Sequence, residues 1–496
     1  MAKRRLFSEK QKNGMQLLCM ILLTCISQVL ALYKSRFTAV NFGASSVMDA
    51  YNYALNIATF VFVFITSGVT TVVIPAYVKK KSAKTINSFI TIIFGAILII
   101  VVLIIMGSTP LLNLLTNKGD NFVGMVSSFM FITFLIQGIT SFLAVTAAYY
   151  QCINHYIVPK SILLFANALV AVILMTGVIT DIHMYLGLLV GGSVVNLIFD
   201  LGVAIRYGFR YIPGLNLKDP ELKAMLLIFL PTMFSSGVYK IHILVDTMVA
   251  ATLISGTLTI LSYSTQIISM VNNVVIGNLT VYAYPKIVSR IDKPDCKKFF
   301  WTYSIFFHSV VVLIIAGFIN VGFEGVKLIF FGGKFTLEDT KLLYYCVCVF
   351  IFGQQFNVVR DLIYRFFYSN GNTKETLKNS VSVSVINIVL SIVLAKFMGV
   401  MGIIVATGLS SIFSLVTITI RFHKYYNIGL SLRYLVIEHA KNLGALVVSV
   451  GAVQIFKKFL IVHNDILAII VYGVLTVVIY VAVLLVLKSD ARKISF

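Results

Sequence analysis

The sequence predicts an all-α polytopic membrane protein with fourteen transmembrane helices. Apolar residues make up 59% of the 496 residues and charged residues only 12%, whereas soluble domains carry about 25% charged residues. Fourteen apolar stretches are each long enough to cross a bilayer, which takes ~20 helical residues. Lys and Arg gather in alternate loops between these stretches. The mean hydropathy of +0.96 agrees with this class.

Each apolar stretch is expected to be a helix, because lipid offers no hydrogen-bond partner to an exposed backbone. The N-terminal stretch is basic and then apolar, as in a signal peptide. Its apolar run is long and is followed by no small-residue cleavage site, so we expect it to remain as the first helix. In chain order the predicted spans are roughly 15–41, 50–78, 86–106, 122–149, 158–178, 184–207, 222–252, 256–284, 299–321, 341–368, 376–396, 400–421, 433–456 and 465–487.

The distribution of basic residues predicts the orientation, since cytoplasmic loops are enriched in Lys and Arg. Most basic residues fall on the side that includes both ends of the chain. Both termini are therefore predicted to be cytoplasmic, in agreement with an even number of spans. Basic loops beside anionic lipid headgroups account for the net charge of +22 without nucleic acid as a partner.

Similar segments recur along the chain. The region from Gly43 to Lys80 has a counterpart from Gly256 to Arg290. Six helices separate the copies, so both point the same way through the membrane. Parallel repeats of this kind are typical of two lobes around a central cavity. The predicted organisation is an N-lobe at 1–207, a cytoplasmic linker at 208–221, a C-lobe at 222–424, and two further helices with the tail at 425–496.

Ionisable residues inside the spans are the first functional candidates, because each costs ~2.5–3.5 kcal/mol at the bilayer centre unless it faces a cavity or a partner. Lys34, Lys240 and Asp246 lie deepest and favour a water-filled cavity. Arg36 could equally reach the outer surface. Two pairs have a structural alternative: Arg360 with Asp361 could lock one helix, and Glu438 with Lys441, spaced i, i+3, favours a local pair.

Catalytic and metal-binding patterns are missing from the sequence. We find no Ser, His and Asp set, no phosphate-binding glycine loop and no cysteine spacing typical of a metal site. The six cysteines lie in spans or on the cytoplasmic side and predict no disulfide. We therefore expect a transporter and not an enzyme.

Three segments resemble a known family. SRFTAVNFGASSVMDAYNYALNIATFVFVFITSGVTTVVIPAYVKKK, from Ser35, resembles the first two helices of the MurJ (MviN) lipid II flippases of the MOP exporter superfamily. KIHILVDTMVAATLISGTLTILSYSTQ, from Lys240, resembles the seventh and eighth helices of that family. FFYSNGNTKETLK, from Phe366, resembles the family's F-Y-A-x-x-D-T-K-T-P turn. The resemblance covers helices 1 to 12.

The resemblance implies export by alternating access, in the bacterial cytoplasmic membrane, of an undecaprenyl-pyrophosphate-linked glycan precursor. In this family that substrate is the peptidoglycan precursor lipid II, and we expect the protein to act as a monomer. A polar head needs a wet cationic cavity, while helices 13 and 14 would line a groove for the lipid tail, as in the family. The predicted substrate-binding residues are Lys34, Arg36, Asp49, Lys240, Gln266 and Arg360.

The sequence departs from the family at its pyrophosphate-binding arginines. Lys34 matches one arginine of helix 1, but Gln28 and Gln266 stand where others are expected, and 62–66 contains none. Arginine binds phosphate through two parallel hydrogen bonds and lysine does not. A capsule- or O-antigen-type repeat-unit flippase is therefore an alternative. A MATE-type drug exporter is less favoured because it normally has twelve helices, and a sugar polymerase because the outer loops are short.

The resemblance also implies a monovalent cation site made by Asp246, Asn387 and Thr407, with Ser391 in place of a family acid. Carboxylate, amide and hydroxyl oxygens suit a hard cation. Coupling to Na⁺, coupling to H⁺ through Asp246 and drive by the membrane potential alone all stay open. No other cofactor is expected.

Overall fold

The computed structural model describes residues 9–78, 81–116, 118–277, 293–370, 372–427 and 429–493. These residues are almost entirely helical, and among them twelve helices are long and apolar enough to cross a membrane. The predicted class, a multi-pass all-α membrane protein, is confirmed, while the count of fourteen spans stays a prediction. The chain forms two compact units, Met1–Ser255 and Gly256–Phe496.

The described part of the first unit contains seven helices. Several start at a side chain that satisfies free backbone N–H groups of the first turn: Ser82 accepts from Thr85 N, and Asp181 accepts from His183 N. Asp219 caps the last of them, where Pro220 occupies the first turn. The helices are α1 Glu9–Phe42, α2 Ser46–Val78, α3 Ala83–Leu115, α4 Asp120–Cys152, α5 Ile157–Met175, α6 Ile182–Arg206 and α7 Pro220–Thr252.

Helix α2 is central to the first unit and packs against both α4 and α7, while α1 packs on α5. The α2 side chains Tyr53 and Phe62 are fully buried, and the Phe62 ring meets Phe134 of α4 edge-on at 5.7 Å. Asn56 Nδ2 donates to Thr247 Oγ1 of α7 at 3.1 Å. Helix α7 therefore belongs to the packed core of this unit.

The linker between α6 and α7 is fixed against α3. Gly214 N donates to Thr91 Oγ1 at 3.2 Å, and Asn216 N donates to Ser88 Oγ at 3.2 Å. The Tyr211 hydroxyl lies 3.1 Å from the same Thr91 oxygen. Side-chain hydroxyls of α3 thus satisfy backbone groups of the linker and hold it in one conformation.

The second unit contains the remaining long helices of the described chain. They are α8 Thr257–Val271, which continues as a π-helical turn at Asn272–Ile276, then α9 Cys296–Phe330, α10 Leu337–Ser369, α11 Thr373–Met398, α12 Val400–Tyr426, α13 Leu432–Phe459 and α14 Asp465–Val486. The predicted span 256–284 runs past the turn into residues 278–292, which lie outside the described residues.

Helices α11 and α12 form a tight hairpin. Gly399 joins them with a φ of +57°, a conformation that glycine adopts without strain. A Cβ at Gly402 would lie 2.2 Å from the Leu394 carbonyl oxygen, so only glycine fits this close approach. Asn379 is fully buried and donates to Ser414 Oγ at 3.0 Å. The hairpin is therefore held by packing and by polar side chains.

The two C-terminal helices pack on α9. Asn320 of α9 donates to Thr476 of α14 at 2.9 Å, and Asn442 of α13 lies 2.9 Å from Nδ1 of His308 of α9. The chain after α14 then folds back on α13, where Asp490 N donates to Glu438 Oε2 at 2.8 Å. Glu438 also forms the predicted local pair with Lys441, at 2.5 Å.

Candidate functional site

Lys34 extends from α1 toward α5. Its Nζ donates to Asn167 Oδ1 at 2.8 Å, and the side chain is partly buried. Two turns earlier on α5, Lys160 Nζ lies 3.4 Å from Thr24 Oγ1 of α1. Both lysines use neutral oxygen acceptors, which leave their positive charge uncompensated. The interface of α1 and α5 can therefore attract an anionic group.

The other two predicted residues near the start of the first unit lie in contrasting environments. Arg36 is exposed, whereas Asp49 is completely buried in the first turn of α2. The helix dipole stabilises a carboxylate at that position. The start of α2 thus stabilises the ionised form of Asp49, and its contact with substrate stays a prediction.

Lys240 and Asp246 lie on α7, which packs on α2. Lys240 is partly buried, and Asp246 is 9% exposed. The residue after Asp246, Thr247, accepts the hydrogen bond from Asn56. The segment that carries Asp246 is therefore anchored to α2.

In the second unit, Gln266 is partly buried on α8 and Arg360 lies on α10. Arg360 donates to one oxygen of Asp361 from Nη2 at 2.7 Å and from Nε at 2.9 Å. Its guanidinium also lies over the Tyr364 ring, 5.7 Å from the centroid. The internal ion pair, one of the two predicted alternatives, is present and neutralises the charge of Arg360.

Two of the predicted cation ligands come together across the α11–α12 hairpin. Asn387 Nδ2 donates to Thr407 Oγ1 at 3.2 Å. Within the described chain, Asn387 Oδ1 and Ser391 Oγ, one turn apart, are buried without a hydrogen-bond partner. A buried polar atom without a partner costs ~1–3 kcal/mol, and a bound hard cation would satisfy both oxygens. The third predicted ligand, Asp246, belongs to the first unit.

Asp200 of α6 is a buried acid that the sequence interpretation missed. It is 3% exposed, and its Oδ2 has no partner among the described residues. Tyr150 donates to its backbone oxygen at 2.9 Å. An acid inside the apolar run 184–207 was the available signal. No comparable signal marked Asn167, the partner of Lys34, because a single amide in an apolar helix does not stand out.

Comparison with known proteins identifies the family. A family model described as "Lipid II flippase MurJ" matches residues 38–481, which is most of the chain. The chain belongs to the MurJ lipid II flippase family. Lys34 and Arg36 lie just before the matched range. Membership of a flippase family confirms the expectation of a transporter rather than an enzyme.

Relatives in the MurJ family resemble the chain over most of its length. A "Probable lipid II flippase MurJ" of Vibrio cholerae is 23% identical over 416 residues, which cover 78% of this chain and 79% of the relative. A protein of the same description from Rickettsia prowazekii is 22% identical over 446 residues, 85% of this chain and 84% of the relative.

Solved structures show the same fold. The structure of "Lipid II flippase MurJ, inward closed conformation" has a TM-score of 0.77 at 17% identity and covers 95% of this chain and 98% of that protein. An inward-facing MATE-family multidrug transporter of the MOP superfamily has a TM-score of 0.60 at 12% identity over 82% of this chain and 98% of that protein. The MurJ fold thus extends along nearly the whole chain, including the helices after α12.

Proposed function

We propose that the protein moves lipid II, an undecaprenyl-pyrophosphate-linked glycan, from the cytoplasmic to the outer leaflet by alternating access. The observation that carries this proposal is the match to the MurJ family over residues 38–481. The fold supports it, because its likeness to a solved MurJ structure extends over 95% of the chain, beyond the shorter likeness to MATE transporters.

The environment of Lys34 supports a role in binding the pyrophosphate. A lysine whose acceptor is the neutral Asn167 keeps its charge for an anion, and charge-assisted hydrogen bonds contribute ~1.5–3 kcal/mol. Arg36, Lys240 and Gln266 are proposed as further contacts. Arg360 is the weakest candidate, because Asp361 already neutralises it.

A related polyprenyl-linked glycan, such as a capsule or O-antigen repeat unit, is the second candidate. Gln266 favours it, since a neutral amide stands where the lipid II flippases carry an arginine on helix 8. A substrate with fewer phosphate contacts, or with sugars that bond to amides, would suit that position. The two candidate substrates differ in their polar headgroup and share the lipid tail.

Complementation tests the two candidates against each other. The gene is expressed in a bacterial strain depleted of its lipid II flippase and, separately, in a strain lacking its O-antigen flippase. Lipid II transport predicts rescue of growth in the first strain only. Rescue of the second strain alone, at equal membrane levels, would replace lipid II by the other glycan. Rescue of neither strain, with the protein present in the membrane, would contradict both.

Coupling to a monovalent cation is proposed for the hairpin oxygens of Asn387, Ser391 and Thr407, with Asp246 as the predicted acid. The buried oxygens without partners support a Na⁺ ligand set. Bound Na⁺ would supply positive charge and link transport to the sodium gradient. Thermal stability of the purified protein in NaCl and in choline chloride tests this independently of transport. Na⁺ should raise the melting temperature, and Asn387→Leu should remove the increase. Equal melting temperatures in both salts favour H⁺ or the membrane potential.

The membrane arrangement is proposed as a monomer in the bacterial cytoplasmic membrane with both termini cytoplasmic. Its partners are the lipid-linked glycan and membrane lipids, with no nucleic acid. The basic residues of alternate loops support this orientation. Reporter enzymes fused to each terminus should be active only on the cytoplasmic side. Activity of either fusion outside the cytoplasm would reverse the orientation.

A further inference from the structure

An apolar groove lies on the first unit between α3, α4 and α6. Its volume is about 510 Å³, within the range of small-molecule sites. Side chains of all three helices line it, and Phe209 and Tyr211 of the α6–α7 linker close one end. The aromatic rings of Phe94 and Phe142 stack within it at 4.3 Å. The groove is thus a slot for a hydrocarbon group.

The floor of the groove is tightly packed. Gly138 of α4 lies there, and a Cβ at this position would come within 3.2 Å of Ile97 and 3.7 Å of the Phe62 ring. The wall side chains Leu201 and Ile205 belong to α6.

Two arginines stand at the linker end of the groove. Arg206 follows the lining residue Ile205, and Arg210 lies between the lining residues Phe209 and Tyr211. Both side chains are exposed, and among the described residues neither has an ion pair or a side-chain hydrogen bond. No acid occurs in 201–218. Two arginines without an ion pair among the described residues are therefore neighbours, in the chain, of residues that line the groove.

The linker holds this arrangement in place. Tyr211 lines the groove and contacts Thr91 of α3 through its hydroxyl, and Gly214 donates to the same Thr91 oxygen. The position of Arg210 is thereby fixed relative to the wall of the groove. A pre-arranged site loses less conformational entropy on binding than a mobile one.

We propose that this groove binds one acyl chain of an anionic phospholipid whose phosphate is held by Arg206 and Arg210. The apolar slot and its basic mouth match the two ends of such a lipid. Basic pockets between membrane helices are suited to anionic headgroups, with ~1 kcal/mol for each basic residue. The site shares no residue with the Lys34 contacts or with the hairpin oxygens, and it does not depend on the transported substrate.

Lipid binding to the purified full-length protein tests the proposal. The protein is delipidated in detergent and titrated with phosphatidylglycerol or with phosphatidylcholine of the same acyl chains, and bound lipids are counted by native mass spectrometry. One phosphatidylglycerol should bind in preference. The double variant Arg206→Gln with Arg210→Gln should weaken its binding ~30-fold, which corresponds to two basic residues at ~1 kcal/mol each.

A matched control removes two other exposed arginines, Arg433→Gln with Arg492→Gln, which carry the same charge and belong to the second unit. This variant should bind phosphatidylglycerol as the parent protein does. Equal loss in both double variants would show a general charge effect and overturn the site. Equal retention of both lipids by the parent protein would mean bulk lipid only, and would overturn it as well.

Filling the slot gives a second readout. Leu201→Trp should abolish the preferred phosphatidylglycerol, whereas Ile198→Trp, on an exposed part of the same helix, should not. Unchanged binding in the Leu201 variant, with the melting temperature preserved, would exclude the groove. Undecaprenyl phosphate is the competing occupant, and its displacement of phosphatidylglycerol at equal concentration would assign the groove to a polyprenyl tail. None of these measurements requires transport, so they stand apart from the flippase proposal.

Discussion

In the first unit, lysines between α1 and α5 meet neutral oxygens, whereas several acids of the second unit meet lysine or arginine. Lys34 contacts Asn167, while Glu375 lies 2.5 Å from Arg421 and Glu324 lies 2.8 Å from Lys457. An ion pair neutralises a charge and fixes two helices. A neutral acceptor positions a charge and leaves it able to bind a ligand. The comparison indicates that Lys34 is available to a ligand, whereas Glu375 and Glu324 stabilise contacts between helices of the second unit.

Removing the charge of Lys34 should have the largest effect. Lys34→Met keeps the length of the side chain but loses a charge-assisted bond to phosphate, worth ~1.5–3 kcal/mol. Transport of labelled lipid II into vesicles should fall roughly 10- to 100-fold at unchanged membrane levels. Lys396→Met, an exposed lysine of α11, should keep full transport. Full transport by the Lys34 variant would end its assignment to the substrate.

Removing an ion pair of the second unit should reduce the stability of the protein. Glu438 is 3% exposed and pairs with Lys441, whose side chain is 23% exposed. Glu438→Gln should lower the free energy of unfolding by ~2 kcal/mol, less than for a fully buried pair, because Lys441 can reach solvent. Thermal denaturation in detergent measures this. If the variant has the same melting temperature as the parent protein, the Glu438–Lys441 pair does not stabilise the fold.

Asp200 gives the matching measurement in the first unit. Its carboxyl has no cationic partner among the described residues, so Asp200→Asn breaks no ion pair. We expect a loss below ~1 kcal/mol. A decrease in melting temperature as large as that of Glu438→Gln would show that the two units do not differ in this respect.

The smallest effect concerns Asp219, at the start of α7 and outside the membrane spans. The hydrogen bond from Thr85 lowers the pKa of Asp219 below its usual value, and backbone N–H groups of Glu221 and Leu222 add to this. The folded pKa is thus below the unfolded one, so the stabilisation is present at neutral pH and is lost as the pH falls through the lowered pKa. In Thr85→Val, the melting temperature should therefore change less with pH between pH ~6 and ~3 than it does in the parent protein. An unchanged acid profile would contradict this.

Much of the fold was predictable from apolar runs, and the errors have physical causes. The third membrane span was predicted at 86–106, in agreement with the candidate span Ala83–Ile104, but helix α3 itself continues to Leu115 across a non-helical Gly107 and with Pro110 inside it. A proline ends most soluble helices, yet in a membrane the helix kinks and continues. The ninth span was predicted to end at 321, but α9 reaches Phe330, because its last turns pair Glu324 with Lys457 and Lys327 with Asp465.

Site residues were predictable where the residue type alone marked them, as for a charge in an apolar run. They were not predictable where the role of a residue depends on the side chain that it contacts. Charges inside apolar runs identified Lys34 and Arg360, but only the three-dimensional contacts separate a lysine on Asn167 from an arginine neutralised by Asp361. The pairing of Asn387 with Thr407 was anticipated through the family resemblance. The apolar groove between α3, α4 and α6 has no sequence signature, since its lining looks like any lipid-facing helix.

The α11–α12 hairpin has a mechanical consequence. Glu375 and Arg421 link its open end, Asn379 and Ser414 follow, Asn387 and Thr407 link its middle, and Gly399 closes its tip. Because α11 and α12 are joined at all of these points, we expect them to move as one rigid body. Spin labels placed on the exposed faces of both helices should keep a constant separation throughout a transport cycle. Any bending within the second unit should then occur outside this hairpin.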